Sequence, residues 1–303
     1  MATSSVRDET KTGGEGIVNL FKDPVWVVRP EKASTVFKMW MPALAAASGV
    51  PDLMMVSGLP GSGKTTLIRF LKDVWGKDVV VLNMDNVTRA YLEKDVASLS
   101  AQDQDVHQAR CKRVREGMKK LLVNAQNMHF ILESAIREVW KTNPAAGIAL
   151  DGFPRSCDDV TWAYETFPAL VKKLNVCCDG KSRDGENVVW CHIFTPIDEN
   201  LHEMLPTLAH RIAERDSINV HERESTAMSA KDRIQKEIAI EKNMFNEILD
   251  FPLDNFKMVA ARADVDCSSL LALVAMRLAL AVGAIIPEDV VKKTLLCLVK
   301  KIP

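Results

Sequence analysis

The sequence has no long uninterrupted apolar run. Its one long apolar stretch, residues 270–286, is shorter than the roughly 20 residues that a membrane-spanning helix needs, and it carries Arg277 at its centre. We therefore predict a buried helix near the C-terminal end, capped by Asp266 or Ser268, and no membrane partner. The first residues include Asp8 and Glu9 and lack an apolar segment, which predicts neither a secretory signal nor a transit peptide.

The sequence also lacks pairs of cysteines at metal-binding spacing. It has no large excess of positive or negative charge. The chain has seven cysteines, and the adjacent Cys177 and Cys178 have no second pair with which to form a zinc site. So few cysteines in 303 residues do not indicate a disulfide scaffold, so we expect a reducing compartment and a cytoplasmic location. The net charge of −1 indicates neither a disordered chain nor a surface for nucleic acid, so no nucleic-acid partner is expected.

Residues 58–65 are the most informative stretch that is present, because they match G-x-x-x-x-G-K-[ST] at every position. An apolar run at 53–56 precedes them as a predicted strand, and a helical pattern follows. The glycines let the loop turn its N–H groups towards phosphate oxygens, and the helix adds the positive end of its dipole. We predict that ATP binds here, with Lys64 as a catalytic group on the phosphates and Thr65 as a ligand of Mg²⁺. The predicted ATP-binding residues of the loop are Gly58, Leu59, Pro60, Gly61, Ser62, Gly63, Lys64, Thr65 and Thr66.

A second motif begins where the predicted strand 148–150 ends. Residues 151–155 read Asp-Gly-Phe-Pro-Arg. Ligands of an open α/β sheet bind at the carboxyl ends of its strands, so Asp151 is placed to hold Mg²⁺ together with Thr65. Arg155 leaves the same strand end, and its guanidinium can fork onto a phosphate.

Strands alternate with helices after residue 50, which predicts an α/β fold with a doubly wound parallel sheet of five strands. The predicted strands are 53–56, 79–82, 148–150, 188–195 and 256–260. Helices are predicted at 102–126, 128–140 and 158–174, and we expect Pro168 to break the last of them. We divide the chain into four parts. Residues 1–16 are a disordered segment, and residues 17–50 are an extension that we expect to cover one sheet edge. Residues 51–286 form a nucleotide-binding domain, and residues 287–303 are a tail.

The motifs at 58–64 and 151–155 resemble those of adenylate kinases and their nucleoside monophosphate kinase relatives, and the resemblance covers about residues 52–282. It implies a phosphate-loop (P-loop) NTPase fold with a helical acceptor-binding region at about 84–142 and a short lid at about 212–228. It also implies an enzyme that uses Mg²⁺ to move the γ-phosphoryl group of ATP to a nucleoside monophosphate, with AMP as the default acceptor. We expect a monomer.

The resemblance implies roles for further residues. Both substrates are anions, so arginines must lie between them. We expect Arg89 to bind the acceptor phosphate with Arg155 as its partner, and Arg155 to be catalytic as well. Near the lid we expect Arg215 and Arg223 to be catalytic, and Arg233 is the next catalytic candidate. We expect Arg211 to bind ATP. The predicted acceptor-binding residues are Asp85, Arg89, Gly152, Phe153, Arg155 and Asp159.

The acceptor itself stays open. Adenylate kinases have a glutamine that reads the adenine base where this chain has Asp159, and a carboxylate only accepts hydrogen bonds. Residues 81–85 also resemble the strand end of P-loop kinases that phosphorylate a hydroxyl group, of a small metabolite or a polynucleotide 5′ end, with Asp85 as general base. A nucleotide-binding protein without catalysis is the third alternative.

Overall fold

The computed structural model describes residues 26–46, 51–75, 79–97, 100–119, 124–175, 188–194, 208–210, 212, 234–236, 238–240, 257–262 and 267–300. The chain divides into two compact units. We call residues 50–193 and 205–258 the P-loop unit, and residues 1–49, 194–204 and 259–303 the terminal unit.

The strands in the described residues are β1 (Trp26–Val28), β2 (Leu53–Gly58), β3 (Val79–Asn83), β4 (Gly147–Asp151), β5 (Val188–Phe194), β6 (Lys257–Arg262) and β7 (Leu298–Lys300). The helices are α1 (Ala33–Ala46), α2 (Lys64–Trp75), α3 (Met84–Glu93), α4 (Ala101–Lys119), α5 (Ala125–Thr142), α6 (Cys157–Asn175), α7 (Cys267–Ala281) and α8 (Glu288–Leu295), with a short 3-10 helix at Pro30–Lys32.

The P-loop unit is built on four parallel strands in the order β3-β4-β2-β5. The residues of β2 and β4 are almost all apolar and buried, as expected of central strands with both faces covered. The predicted α/β fold with a parallel sheet is therefore confirmed for four strands. A strand is also found at Lys257–Arg262, where 256–260 was predicted, but its place as a fifth strand of this sheet stays a prediction.

The register brings the functional strand ends to one edge. Asp151 at the end of β4 is paired with Val56 of β2 on one side and with Asn83 of β3 on the other. Gly58, at the end of β2, is paired with Ile193 of β5. Because the strands are parallel, the residues that follow β2, β3 and β4 all leave from the same side of the sheet.

Two helix predictions are corrected. The helix predicted at 102–126 is confirmed over 102–119, but its continuation to residue 126 is wrong, because α4 ends at Lys119 and a separate helix, α5, begins at Ala125. The side chain of Asn124 accepts a hydrogen bond from the backbone N–H of Gln126 at 2.9 Å, which is the contact of an N-terminal cap.

Pro168 does not break the third helix. It lies inside α6, which continues to Asn175. Phe167 and Leu170, on either side of the proline, are both buried in the main hydrophobic core. Burial of a large apolar side chain stabilises by about 1.5–3 kcal/mol, so two such residues offset the roughly 3 kcal/mol that an internal proline costs a helix.

The terminal unit joins the two ends of the described chain. Strand β1 pairs antiparallel with β7, and helix α1 packs along α7. Residues 270–279 are almost all buried, so the predicted apolar C-terminal helix is confirmed as far as Ala281. Ser268 lies inside this helix, so it is not the predicted cap, and Asp266 lies outside the described residues. Trp40 Nε1 donates a hydrogen bond to Thr294 Oγ1 at 2.7 Å, and Arg277 Nη2 donates one to the carbonyl oxygen of Trp26 at 2.9 Å.

The segments predicted as an extension and a tail thus hold regular structure. Residues 26–28 pair with residues 298–300 in a two-stranded sheet of their own. The predicted boundaries near residues 50 and 286 stay predictions. None of the helices in the described ranges is long and apolar enough to cross a membrane.

Candidate active site

The phosphate loop follows β2 and runs into α2. Gly58, Gly61 and Gly63 have φ values of +139°, +79° and +99°, which side-chain-bearing residues rarely adopt. A Cβ atom on Gly58 would also lie closer than 3.0 Å to the backbone oxygen of Ile193. The backbone therefore requires glycine where the motif has it, and the loop can fold into a concave shape.

Lys64 lies against this loop. Its Nζ donates hydrogen bonds to the carbonyl oxygens of Gly58 at 2.7 Å and Leu59 at 2.8 Å. A lysine held over the loop in this way places its positive charge where phosphate groups would enter. The other loop residues predicted to bind ATP differ in exposure: Ser62 is buried, Pro60 is half-buried, and Thr66 is exposed.

Asp151 is the centre of the polar contacts at the strand ends. Its Oδ2 accepts a hydrogen bond from Thr65 Oγ1 at 3.2 Å and another from Asn83 Nδ2 at 3.2 Å. The structure therefore brings together the two residues that the sequence predicted as metal ligands. A hydroxyl and a carboxylate are oxygen ligands of the kind that Mg²⁺ prefers. The residues present thus fit a Mg²⁺ ion that is completed by ATP phosphates and water, because one or two carboxylates suffice for such a site.

The described residues hold no group of three or more His, Cys, Asp or Glu side chains that could bind a metal by themselves.

Asn83 is a site residue that the sequence reasoning missed. It is the last residue of β3 and the N-terminal cap of α3, where its Oδ1 accepts from the backbone N–H groups of Asp85 at 3.1 Å and Asn86 at 3.3 Å. Its amide nitrogen donates to Asp151 at the same time. An asparagine between a buried strand and a helical pattern is a signal for a cap, so the capping role could have been found. The contact with Asp151 follows only from the strand order.

Asp85 and Arg155 face each other at this edge. Arg155 Nη2 lies 3.6 Å from Asp85 Oδ1, and the two side chains are 51% and 63% exposed. Arg155 Nε also donates a hydrogen bond to the carbonyl oxygen of Gly152 at 2.8 Å, which fixes the plane of the guanidinium. Gly152 has φ +83°, so the chain turns sharply as it leaves β4. The result is an accessible carboxylate and an accessible guanidinium side by side.

The other predicted acceptor residues lie in different surroundings. Arg89 is exposed on α3. Phe153 is 1% exposed and packs in the core with Trp162 and Phe167. Asp159 is 7% exposed, and both of its carboxylate oxygens accept hydrogen bonds from groups of the protein. Their roles towards an acceptor stay predictions.

The predicted lid and its arginines lie outside the described residues. Of residues 212–228 only Ile212 is described. The arginines concerned are Arg211, Arg215, Arg223 and Arg233. Leu208, just before them, is described, and its carbonyl oxygen lies 3.0 Å from where a Cβ atom on Gly61 would be.

A layer of buried polar contacts supports the loop from below. Ser57, the residue before the loop, has its Oγ 2.8 Å from His192 Nδ1 and accepts a hydrogen bond from Trp190 Nε1 at 2.7 Å. His192 and Trp190 lie on β5, the strand beside β2. No motif in the sequence predicts these contacts, because they depend on which strand lies beside β2 in the sheet.

Comparison with known proteins supports the P-loop kinase superfamily. The family model described as Zeta toxin matches residues 42–152, which is less than half of the chain. The matched range includes the whole phosphate loop at 58–65 and the first two residues, Asp151 and Gly152, of the second motif. The match supports a kinase-type phosphotransferase with a nucleotide-binding P-loop and ATP as substrate, and does not specifically support an adenylate kinase. A search of curated proteins finds no match to the chain.

Two solved structures are similar to this chain at low identity. A gluconokinase from Sinorhizobium meliloti 1021 is 15% identical, with 76% of this chain and 94% of that chain covered and a TM-score of 0.34. A structure from the PezAT chromosomal toxin-antitoxin system of Streptococcus pneumoniae is 12% identical, with 76% and 99% covered and a TM-score of 0.26. Likeness at these TM-scores does not establish a shared fold.

Proposed function

We propose that this chain is an ATP-dependent kinase that transfers the γ-phosphoryl group to a hydroxyl group of its acceptor, with Asp85 as the general base. The observation that carries the proposal is the exposed carboxylate of Asp85 in the first turn of α3, just after β3, 3.6 Å from Arg155. A hydroxyl group needs a base to take its proton, whereas a phosphate acceptor is already ionised. The carboxylate of Asp85 can take the proton of the hydroxyl group. The guanidinium of Arg155 beside it can bind the transferred phosphoryl group.

The other residues have roles that follow from their positions. The loop N–H groups and Lys64 would bind the ATP phosphates, and Thr65 and Asp151 would hold Mg²⁺, which neutralises charge on those phosphates when bound. Arg155 would contact the transferred phosphoryl group. The acceptor oxygen forms a bond to the γ-phosphorus while the bond from phosphorus to the bridging oxygen breaks, so ADP leaves and the hydroxyl proton moves to Asp85.

A nucleoside monophosphate kinase is the second candidate, because residues 151–155 keep the whole Asp-Gly-Phe-Pro-Arg motif and Arg155 is exposed. Arg89 would then bind the acceptor phosphate, with AMP as the default acceptor. The surroundings of Asp159 favour the first candidate, since this carboxylate, which would read the base, is buried and already accepts hydrogen bonds from the protein.

The test is ADP release from Mg-ATP with two acceptor panels, one of nucleoside monophosphates and one of hydroxyl compounds: monosaccharides, sugar acids, nucleosides and an oligonucleotide with a free 5′ hydroxyl. Asp85→Asn should lower kcat on the hydroxyl acceptor by about 10²- to 10⁴-fold, the usual contribution of a general base, and leave ATP affinity unchanged. Asp95→Asn removes another exposed carboxylate just beyond the same helix and is the matched control. Lys64→Ala gives the blank.

Turnover of a nucleoside monophosphate with only a modest effect of Asp85→Asn would support the second candidate. Binding of ATP without turnover of any acceptor would support a nucleotide-binding protein without catalysis. Loss of activity in Asp95→Asn equal to that in Asp85→Asn would refute the role of Asp85.

A further inference from the structure

A buried histidine and carboxylate lie behind Arg155. His129 Nε2 is 2.7 Å from Asp159 Oδ1, and the two side chains are 11% and 10% exposed. They come from different helices, His129 from α5 and Asp159 from α6. A carboxylate with so little contact with water is stable there only if it is well hydrogen-bonded, so this pair has been built into the packing of the two helices.

His129 is held in one orientation. Its ring is stacked on the indole of Trp162, with ring centroids 4.3 Å apart and planes 5° from parallel. Stacking fixes the plane of the imidazole, and the hydrogen bond to Asp159 fixes its direction within that plane. The histidine therefore acts as a rigid support for one oxygen of the carboxylate.

The other oxygen of Asp159 holds the turn that carries Arg155. Its Oδ2 accepts the backbone N–H of Arg155 at 2.9 Å. Ser156 Oγ accepts the backbone N–H of Asp159 at 3.2 Å, which is already the contact of a helix cap. A cap alone does not require the carboxylate to be buried against a histidine of another helix.

The contacts continue to the guanidinium. Arg155 Nε is bonded to the carbonyl oxygen of Gly152, and Nη2 faces Asp85. The backbone of Arg155 is thus fixed by Asp159, and its side chain is fixed against the same turn. A shift of this turn by about 1 Å would move the guanidinium away from its partner, and misplacement of that size can lower a rate by about 100-fold.

We propose that His129 and Asp159 are positioning residues, which hold the backbone of Arg155 so that its guanidinium lies beside Asp85. The proposal rests on the proposed function, in which Arg155 contacts the transferred phosphoryl group. In this proposal Asp159 positions Arg155 and does not recognise the base of the acceptor.

The first measurement follows Arg155 directly and needs no acceptor. His129→Phe keeps a ring that can stack on Trp162 and removes Nε2. Hydrogen exchange at the Arg155 backbone N–H and Nε–H, followed by NMR, should then accelerate by roughly 10-fold or more, because local opening becomes easier. His107→Phe is the matched control, since His107 is also a buried histidine on a helix of this region, with its ring 4.7 Å from that of Tyr91. Unchanged exchange at Arg155 in His129→Phe would overturn the proposal.

The second measurement is a double-mutant cycle with Arg155→Ala in the kinase assay. His129→Phe alone should lower kcat by about 10- to 100-fold and change the KM for ATP by less than about threefold. In the Arg155→Ala background the same change should lower kcat by less than about twofold, because the group that it positions is gone. Additive losses would overturn the proposal, since a purely structural defect acts in both backgrounds.

A conservative variant separates positioning from folding. The amide of His129→Gln can still reach Asp159 and should restore most of kcat and the slow exchange. If His129→Phe does not fold, His129→Asn replaces it, because its shorter amide does not reach the carboxylate. Faster exchange at Arg155 together with an inactive wild-type chain would support the positioning and refute only the proposed function.

Discussion

Replacing Gly58 by alanine tests whether the neighbouring strand confines the phosphate loop. Gly58 has φ +139°, and an added Cβ would lie closer than 3.0 Å to the backbone oxygen of Ile193. That oxygen belongs to β5, whose residue Ile193 is paired in register with Gly58. The oxygen can move away only if the parallel pairing of the two strands is disturbed.

The expected loss has two parts. Holding a non-glycine residue in such a backbone region costs about 1–3 kcal/mol. Forcing an extra atom against a packed backbone costs about a further 1–3 kcal/mol. We therefore expect Gly58→Ala to lower the free energy of unfolding of the P-loop unit by about 2–6 kcal/mol and to weaken ATP binding, because the loop must shift to relieve the contact.

Gly283→Ala is the matched control. Gly283 has φ +73°, but a Cβ atom there would meet nothing within 4 Å. Only the backbone cost of about 1–2 kcal/mol applies. The assays are urea denaturation followed by circular dichroism and ATP titration by calorimetry. Equal losses of stability in the two variants, with normal ATP affinity in Gly58→Ala, would refute the view that the β5 backbone confines the loop.

Three other changes have expected outcomes. Asn83→Ala should lower stability by about 1 kcal/mol, because a helix cap is lost, and should raise the Mg²⁺ concentration needed for half-maximal activity; a normal Mg²⁺ dependence would contradict the role of Asn83. Thr294→Val should destabilise the chain by about 1–3 kcal/mol in urea denaturation, because the indole N–H of buried Trp40 loses its acceptor. Burial, and after it the charge of Lys94, lowers the pKa of His107 below 6.5, so the unfolded state binds this proton more readily. The free energy of unfolding should therefore be highest above about pH 6.5 and should decrease as the pH is lowered through the pKa of folded His107. His107→Phe should make this decrease smaller between about pH 7 and pH 5. Equal slopes of the free energy of unfolding against pH in the wild type and the variant would refute this role of His107.

The parts of the site that could be predicted depend on residues close together in sequence. The spacing of residues 58–65 fixes a loop between a strand and a helix, and Asp151 follows a strand whose apolar residues are contiguous. The parallel arrangement then brings Thr65 to Asp151 without further information. Local patterns, together with the rule that ligands of a parallel sheet bind at the carboxyl ends of its strands, are enough to predict this contact.

Contacts that depend on the order of the strands or on the packing of two helices could not be predicted in the same way. Asn83 meets Asp151 across 68 positions, and His129 meets Asp159 across 30. Periodicity shows that a helix has a buried face, but it does not show which polar group of the next helix will meet it. Pro168 shows the same limit, because burial of its neighbours outweighs the local preference that predicted a break.

The pairing of the two chain ends has a consequence during synthesis on the ribosome. The helix α1 buries Val36, Trp40 and Leu44, and Trp40 is bonded to Thr294, 254 positions later. At about 5–20 residues per second, translation needs roughly 13–50 s to deliver that partner. For that time the nascent chain carries an apolar helical stripe that its own sequence does not yet cover, and such a stripe is what chaperones recognise. Removing residues 267–300, which hold both α7 and the α8 residue Thr294, would make this temporary exposure permanent.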